Sequence, residues 1–474
     1  MISYYLILSV CGILGLAFIR RQRLADLITA LFALTQAALA VYAWRHLHTT
    51  EWQFFTYDAL GVILLAVLSI VTVPVLIHSR IYLKNNAADP AARAGYNASV
   101  LLLVVALSMG VLANHIAMTW VFTEITTLSA AMLVYHHRNK LALEGTWKYI
   151  FVCAISVTFI FIGILFLSLS LLHAGSNDLS YTHLMANSTR MDPFWLKLAY
   201  LFIFTGYTAK MGLFPMFTAG IDAKDNAPSP AGALLAAVLV NLGFTGIFRT
   251  FAVVAATPLA PWARTLMIAV ALLTLLVASA YMIKIHNIKR LLAYSGIEQM
   301  SIVLLGMAMG KAGCYAALLH LVMHSFIKSG LFLHLGQLIR VYKSKMIEDM
   351  GGYLRYNPFG ALVLLLGLFC ITAIPPSGLF VSEFLIFKTM IAGGHYALVA
   401  VVALLLTVLI WALLRVVLRL VFIPEKETVA GDVPRISPWE SLSQLVLFLL
   451  AVYVGYNPPA ALLNLINEAI TVIT

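Results

Sequence analysis

The chain has 474 residues, 62% of them hydrophobic and 10% charged, against roughly 25% charged in an ordinary soluble domain, which excludes a water-soluble globule. The formal net charge is +11, but the basic residues sit at the ends of apolar runs, so the excess points to membrane topology and not to nucleic acid. Cys11, Cys153, Cys314 and Cys370 are scattered through apolar stretches without a CxxC or a Cys/His cluster, so iron–sulfur, haem and structural zinc sites are not expected in this chain.

A hydrocarbon core of about 30 Å takes ~20 apolar residues per helix. Apolar runs fall near 2–19, 25–44, 58–79, 96–115, 117–135, 149–173, 196–217, 231–255, 263–283, 291–309, 313–338, 359–390, 396–422 and 438–456. They predict an all-α polytopic membrane protein of fourteen segments. The first run opens at Met1 and is followed by Arg20, Arg21 and Arg23. A removable leader carries its charge ahead of the apolar run, so a first transmembrane helix is expected instead. Asn85-Asn86, Asp225-Asn226-Ala227-Pro228 and Asn357-Pro358 punctuate the runs, and the longest polar stretches, 174–195 and 339–358, are short enough to be loops. Loops after odd-numbered segments, with Lys224, Lys426 and Arg435 included, hold 21 of the 30 Lys and Arg residues; loops after even-numbered segments hold 5. The positive-inside rule then places the odd loops in the cytoplasm and both termini outside a bacterial or archaeal inner membrane.

Ionisable groups at bilayer depth are costly and line ion pathways or polar cavities. In the fifth segment Glu124 is flanked by Thr123, Thr126 and Thr127. In the seventh, Lys210 stands five residues before Pro215, which must break or kink its helix. A half-helix end beside a buried charge is an arrangement used at transporter ion sites. Glu298 and Gln299 add polar groups to the tenth segment. On the eleventh, His320, His324 and Lys328 repeat at i, i+4 and i+8 and share one helical face. A lone buried histidine is commonly a packing residue, but three ionisable groups on one stripe form a relay, because histidine titrates near neutrality and a desolvated lysine gives up its proton more readily. Zinc would need further ligands, and neither a cysteine nor a carboxylate is supplied nearby. Glu383 follows Pro375 and Pro376, another break. Arg249, Lys388, His334 and Glu144 read as interfacial or structural, since long side chains near helix ends snorkel. Mutual pairing would account for Glu124 and Lys210, but not for titratable groups recurring across the fifth, seventh, eleventh and twelfth segments.

Residues 208–235, TAKMGLFPMFTAGIDAKDNAPSPAGALL, resemble the K-x-x-x-x-P-x-H-x-W-L-P-D-A…P-S/T-P-V-S-A-L-L hallmark of the proton-conducting antiporter-like subunits. These subunits occur in respiratory complex I, multisubunit sodium/proton antiporters and energy-converting nickel–iron hydrogenases. The resemblance continues through Trp120…Glu124…Leu128, Lys289-Arg-Leu-Leu-Ala-Tyr-Ser295, the His320–His324–Lys328 stripe, Glu348-Asp-Met-Gly-Gly-Tyr353 and Pro375-Pro-Ser-Gly-Leu-Phe-x-x-Glu383. It implies two inverted five-helix repeats, at 95–255 and 260–423, with helices seven and twelve broken. Three helices in 1–94 precede the repeats, and 438–474 supplies a last helix and tail. It also implies a proton pathway through Glu124, Lys210, His320, His324, Lys328 and Glu383, with Asn241 at the family's helix-eight position and Asp222 in a coupling loop; Glu298 joins the pathway from its place in the tenth segment.

Three departures stand out: Ala219-Gly220-Ile221 replaces W-L-P, Phe217 replaces the histidine, and Asn241 takes the place of a titratable residue on helix eight. Asn241 and the Ser295–Met300 run look most like the hydrogenase-4 or formate hydrogenlyase branch. The function implied is proton, or sodium, translocation within a redox-driven complex. This chain would perform no redox catalysis itself. Iron–sulfur and nickel–iron centres are expected in partner subunits, with cytoplasmic redox subunits performing the electron transfer beside other membrane subunits of the complex. The alternatives are a sodium/proton antiporter subunit, a complex I subunit, an inorganic-carbon uptake subunit and a non-conducting scaffold.

Overall fold

The computed structural model describes residues 1–19, 21–86, 89–172, 177–424 and 436–473. Arg20, Lys426 and Arg435 of the charge count, and the start of the 174–195 loop, lie outside them. With no water to satisfy the backbone inside a bilayer, apolar runs of this length must close their hydrogen bonds as helices. Among the described residues, eleven helices are by themselves long and apolar enough to cross. They are Gln22–Arg45, Ala59–Asn85, Pro90–Leu112, Ile116–His137, Lys140–Leu171, Ser229–Ala255, Ala260–Met282, Ile288–Ala308, Gly310–Tyr342, Tyr396–Phe422 and Pro438–Tyr456. Three further crossings are made by Ile2–Phe18 and by two interrupted segments, the seventh (Pro193–Met211 and Thr218–Asn226) and the twelfth (Pro358–Ile371 and Gly378–Ala392). The expected fourteen segments are all present.

Both interruptions fall where proline removes a donor and clashes with the preceding turn. Phe214-Pro215 and Pro375-Pro376 are cis. Gly212, at φ 83°, takes the left-handed position that ends Pro193–Met211, and the Gly212 and Leu213 amides both donate to the Thr208 carbonyl at 2.8 Å. The Phe214 amide, freed by the break, donates to Thr274 Oγ1 at 3.0 Å. In the twelfth segment Ser377 opens the second half-helix: its Oγ accepts from the Leu379 amide at 3.1 Å and donates to the Cys370 carbonyl at 2.8 Å.

Segments eight, ten and eleven are enclosed along their length and form the centre of the molecule. Small residues let the surrounding helices approach closely, as membrane packing favours. A β-carbon on Gly243 would stand 2.6 Å from the Met211 amide nitrogen, so segment eight lies directly against the backbone that carries Lys210. On one face of the bundle the loops before segments three, five and seven meet in the bridges Phe55–Ala113 and His115–Ser180. Arg249 fastens this face, donating to Asp58 at 2.9 and 3.0 Å and to the Val111 carbonyl at 2.9 Å. On the other face Asn287 bridges Met346, and Lys345 Nζ reaches the Asp225 carbonyl at 2.7 Å. Odd and even loops thus fall on opposite faces.

Candidate functional site

The threonines of the fifth segment turn their hydroxyls back on the helix. Thr123 donates to the Thr119 carbonyl at 2.7 Å and Thr127 to the Thr123 carbonyl at 3.2 Å. Each hydroxyl keeps its acceptor capacity. Lys210, only 3% exposed at the end of Pro193–Met211, uses it, donating from Nζ to Thr127 Oγ1 at 2.6 Å. The Tyr149 ring lies 5.6 Å from the same Nζ, within cation–π range. Lys210 thus makes no direct salt bridge with Glu124 among the described residues. Thr127, one turn from Glu124 on the same face, receives the lysine, and Glu124 Oε2 is buried without a hydrogen-bond partner among the described residues.

The central stripe folds as its spacing requires. Lys328, fully buried, donates to the Leu292 carbonyl at 2.8 Å and to Ser295 Oγ at 2.6 Å on segment ten. One turn beyond Ser295 lies Glu298, which accepts from Gln299 Nε2 at 2.9 Å. Glu298, Gln299 and Glu383 line one small cavity beside Ile371 and Thr372, at the break of the twelfth segment. His320 Nδ1 lies 3.0 Å from the hydroxyl of Ser382, the residue before Glu383. His320 Nε2 and both ring nitrogens of His324 are buried without partners among the described residues. Asn241 donates from Nδ2 to Ser325 Oγ at 3.0 Å, an amide tie between segments eight and eleven.

Asp222 lies on Thr218–Asn226 and pairs with Arg290. Around it, Asp225 accepts from Asn287 Nδ2 at 3.0 Å, and Lys289 donates to the Asp225 carbonyl at 3.3 Å. This clasp holds the foot of the seventh segment to the start of the tenth. Beside it opens a cavity of about 540 Å³ whose walls include His78, His137, Pro228, Lys289, Arg340 and Lys345.

Two lysines assigned to loops are corrected. Lys289 is buried against the foot of the seventh segment, and Lys224 is 3% exposed in the bundle interior. Thr218–Asn226 is short and polar in sequence and reads as loop, but the fold turns it inward. One signal was available: the loop after the seventh segment alone among the odd loops held a single basic residue. His334 is fully buried and therefore not interfacial, with neither ring nitrogen hydrogen-bonded among the described residues, while Glu144 pairs with Lys148 at the exposed surface. Among the described residues no group of His, Cys, Asp and Glu is arranged to hold a metal ion.

Residues 113–409 match the transmembrane family described as NADH:quinone oxidoreductase/Mrp antiporter. The chain is 28% identical over 457 residues to the Hydrogenase-4 component F homolog of Methylacidiphilum infernorum, covering 94% of each chain. It is 26% identical to the NADH-quinone oxidoreductase subunit N of Halorhodospira halophila, covering 94% of this chain and 92% of that one. A chain in the structure of the membrane-bound sulfane sulfur reductase, an archaeal respiratory membrane complex, shares the fold with a TM-score of 0.87 at 21% identity, covering 100% of this chain and 97% of that one.

Proposed function

Because the chain belongs to the NADH:quinone oxidoreductase/Mrp antiporter transmembrane family as an antiporter-like membrane subunit, we propose that it carries protons across the membrane along Glu124, Lys210, Lys328, Glu298 and Glu383, with His320 and His324 as relays. The parent assembly is a redox-driven complex of the hydrogenase-4 type. What supports that choice is identity at equal coverage of this chain: 28% to the hydrogenase-4 relative against 26% to the subunit N relative. Electron transfer belongs to partner subunits that hold the iron–sulfur and nickel–iron centres. The inverted repeats span 95–255 and 260–423, each containing one interrupted segment.

One observation carries the reading. Buried polar groups in a purely structural network find partners, yet Glu124 Oε2, His320 Nε2 and both nitrogens of His324 have none among the described residues. Side chains left with open hydrogen-bonding capacity at membrane depth suit proton transfer better than packing. A partner subunit that changes the Glu124–Thr127–Lys210 geometry alters how strongly the carboxylate steadies the ammonium, and the proton leaves Lys210 for the centre. Moving one charge against 100 mV takes about 2.3 kcal/mol, which redox coupling can supply.

The test is Lys328→Met in the intact complex, in sealed inside-out vesicles energised in turn with hydrogen, formate and NADH. The variant is expected to assemble and to lose acidification of the lumen by about a hundredfold or more. Assembled variant pumping at the wild-type rate would leave a non-conducting scaffold. Orientation has its own test: with both termini outside, a cysteine at Gln53 labels only from the exterior and one at Glu348 only from the cytoplasm. The reverse pattern overturns the charge-based topology.

A further inference from the structure

Lys210 and Lys328 stand on different segments, and the residue between them on segment eight, Asn241, is an amide that carries no exchangeable charge and is tied to Ser325. Lys224 lies between the same two lysines by another route. It is 3% exposed, and among the described residues no hydrogen bond or ion pair engages its Nζ. On one side Lys224 and Lys210 share a small cavity, lined also by Tyr149 and Gly212, with room for about one water molecule. On the other side lies Gly296 of segment ten. A β-carbon there would stand 4.0 Å from Lys224 Nζ and 3.7 Å from Lys328 Nζ, so the two amines face each other across a gap left by a missing side chain. That separation, no more than about 8 Å, is spanned by one or two waters.

We propose that Lys224 is a proton carrier between Lys210 and Lys328. The inference rests on the translocation reading above. A proton leaves the Lys210 ammonium through the shared cavity and is taken up by the neutral Lys224 amine, leaving Lys210 neutral. It then leaves Lys224 across the Gly296 gap and is taken up by the neutral Lys328 amine. The chemistry consists of two N–H bonds broken and two formed. Like charges this close repel, so a proton arriving on one lysine is discouraged from resting there while its neighbour is charged. The lack of any fixed partner for Lys224 fits a group that must be neutral for part of the cycle, because a permanently charged buried lysine requires a counter-ion.

The decisive set is Lys224→Gln, Lys224→Arg and Lys224→His in the intact complex, assayed in sealed inside-out vesicles with Lys328→Met as a parallel control. Arginine keeps the charge but does not release its proton, whereas histidine does. Expected are assembled complexes in which Gln and Arg reduce lumen acidification by about a hundredfold, and in which His stays within about tenfold of wild type. Lys224→Gln or Lys224→Arg pumping at the wild-type rate, with Lys328→Met blocked, overturns this inference and leaves the translocation reading standing. Wild-type pumping by Lys328→Met overturns that reading instead. Should the Lys224 variants fail to assemble, Gly296→Ala decides: its methyl group fits at ordinary contact distances but displaces water from the gap. Assembled Gly296→Ala is expected to slow pumping about tenfold, and unchanged pumping overturns the proposal.

Discussion

In the seventh segment the buried cations stand near the ends of their half-helices: Lys210 one residue before the end of Pro193–Met211, and Lys224 two residues before the end of Thr218–Asn226. In the twelfth, the buried group is a carboxylate, Glu383, in the second turn of Gly378–Ala392. A helix carries about half an elementary charge at each end, negative at its C-terminus and positive at its N-terminus. The interruption of the seventh segment therefore places its cations where the helix's own field favours them, whereas Glu383 lies past the first turn and outside that field. The surroundings then diverge. Lys210 meets a hydroxyl, with a carboxylate one turn further on, whereas Glu383 meets a second carboxylate, Glu298, across a small cavity. The first arrangement holds opposite charges slightly apart, so a small movement changes their attraction. The second brings like charges together, so they repel whenever both are ionised. The interrupted helix supplies the polarity at the first place only, and at both the neighbours decide whether a proton is released or shared.

The comparison breaks most sharply at Glu383. Glu383→Gln conserves shape while removing the ionisable group, and pumping in sealed vesicles is expected to fall about a hundredfold with assembly intact. Assembled Glu383→Gln that pumps normally would make the twelfth interruption a structural feature only. A smaller effect is expected at the other interruption. Thr127→Val removes the acceptor that Lys210 uses, a hydrogen bond to a charged group worth about 1.5–3 kcal/mol. A lower Tm of the purified complex and a several-fold slower pump are expected, with Thr127→Ser close to wild type in both. Equal behaviour of Val and Ser would show that the hydroxyl plays no part.

Much of this was legible in the sequence. Fourteen crossings follow from apolar runs, and both interruptions from Pro215 and the Pro375-Pro376 pair, because a missing donor inside a hydrophobic run has few outcomes. The His320–His324–Lys328 stripe was legible because spacing along one helix fixes a face. Relations between helices were not. That Lys210 binds Thr127 depends on two segments meeting 83 positions apart in the chain. That Lys224 is buried depends on a nine-residue polar helix being folded inward by contacts its own sequence does not announce. The Asp58–Arg249 bond, which makes a buried cation structural, joins residues 191 positions apart.

The central claim is that Glu124 and Lys210 act as charges whose separation drives transfer, and one variant tests it directly. If the two only held helices together, removing either would leave an uncompensated buried charge, while removing both would restore packing and activity. In Glu124→Gln with Lys210→Met, the amount of assembled complex and the redox-driven acidification of sealed vesicles are measured on the same preparation. This account expects near wild-type assembly with acidification lost. An assembled double variant that acidifies at the wild-type rate would contradict it.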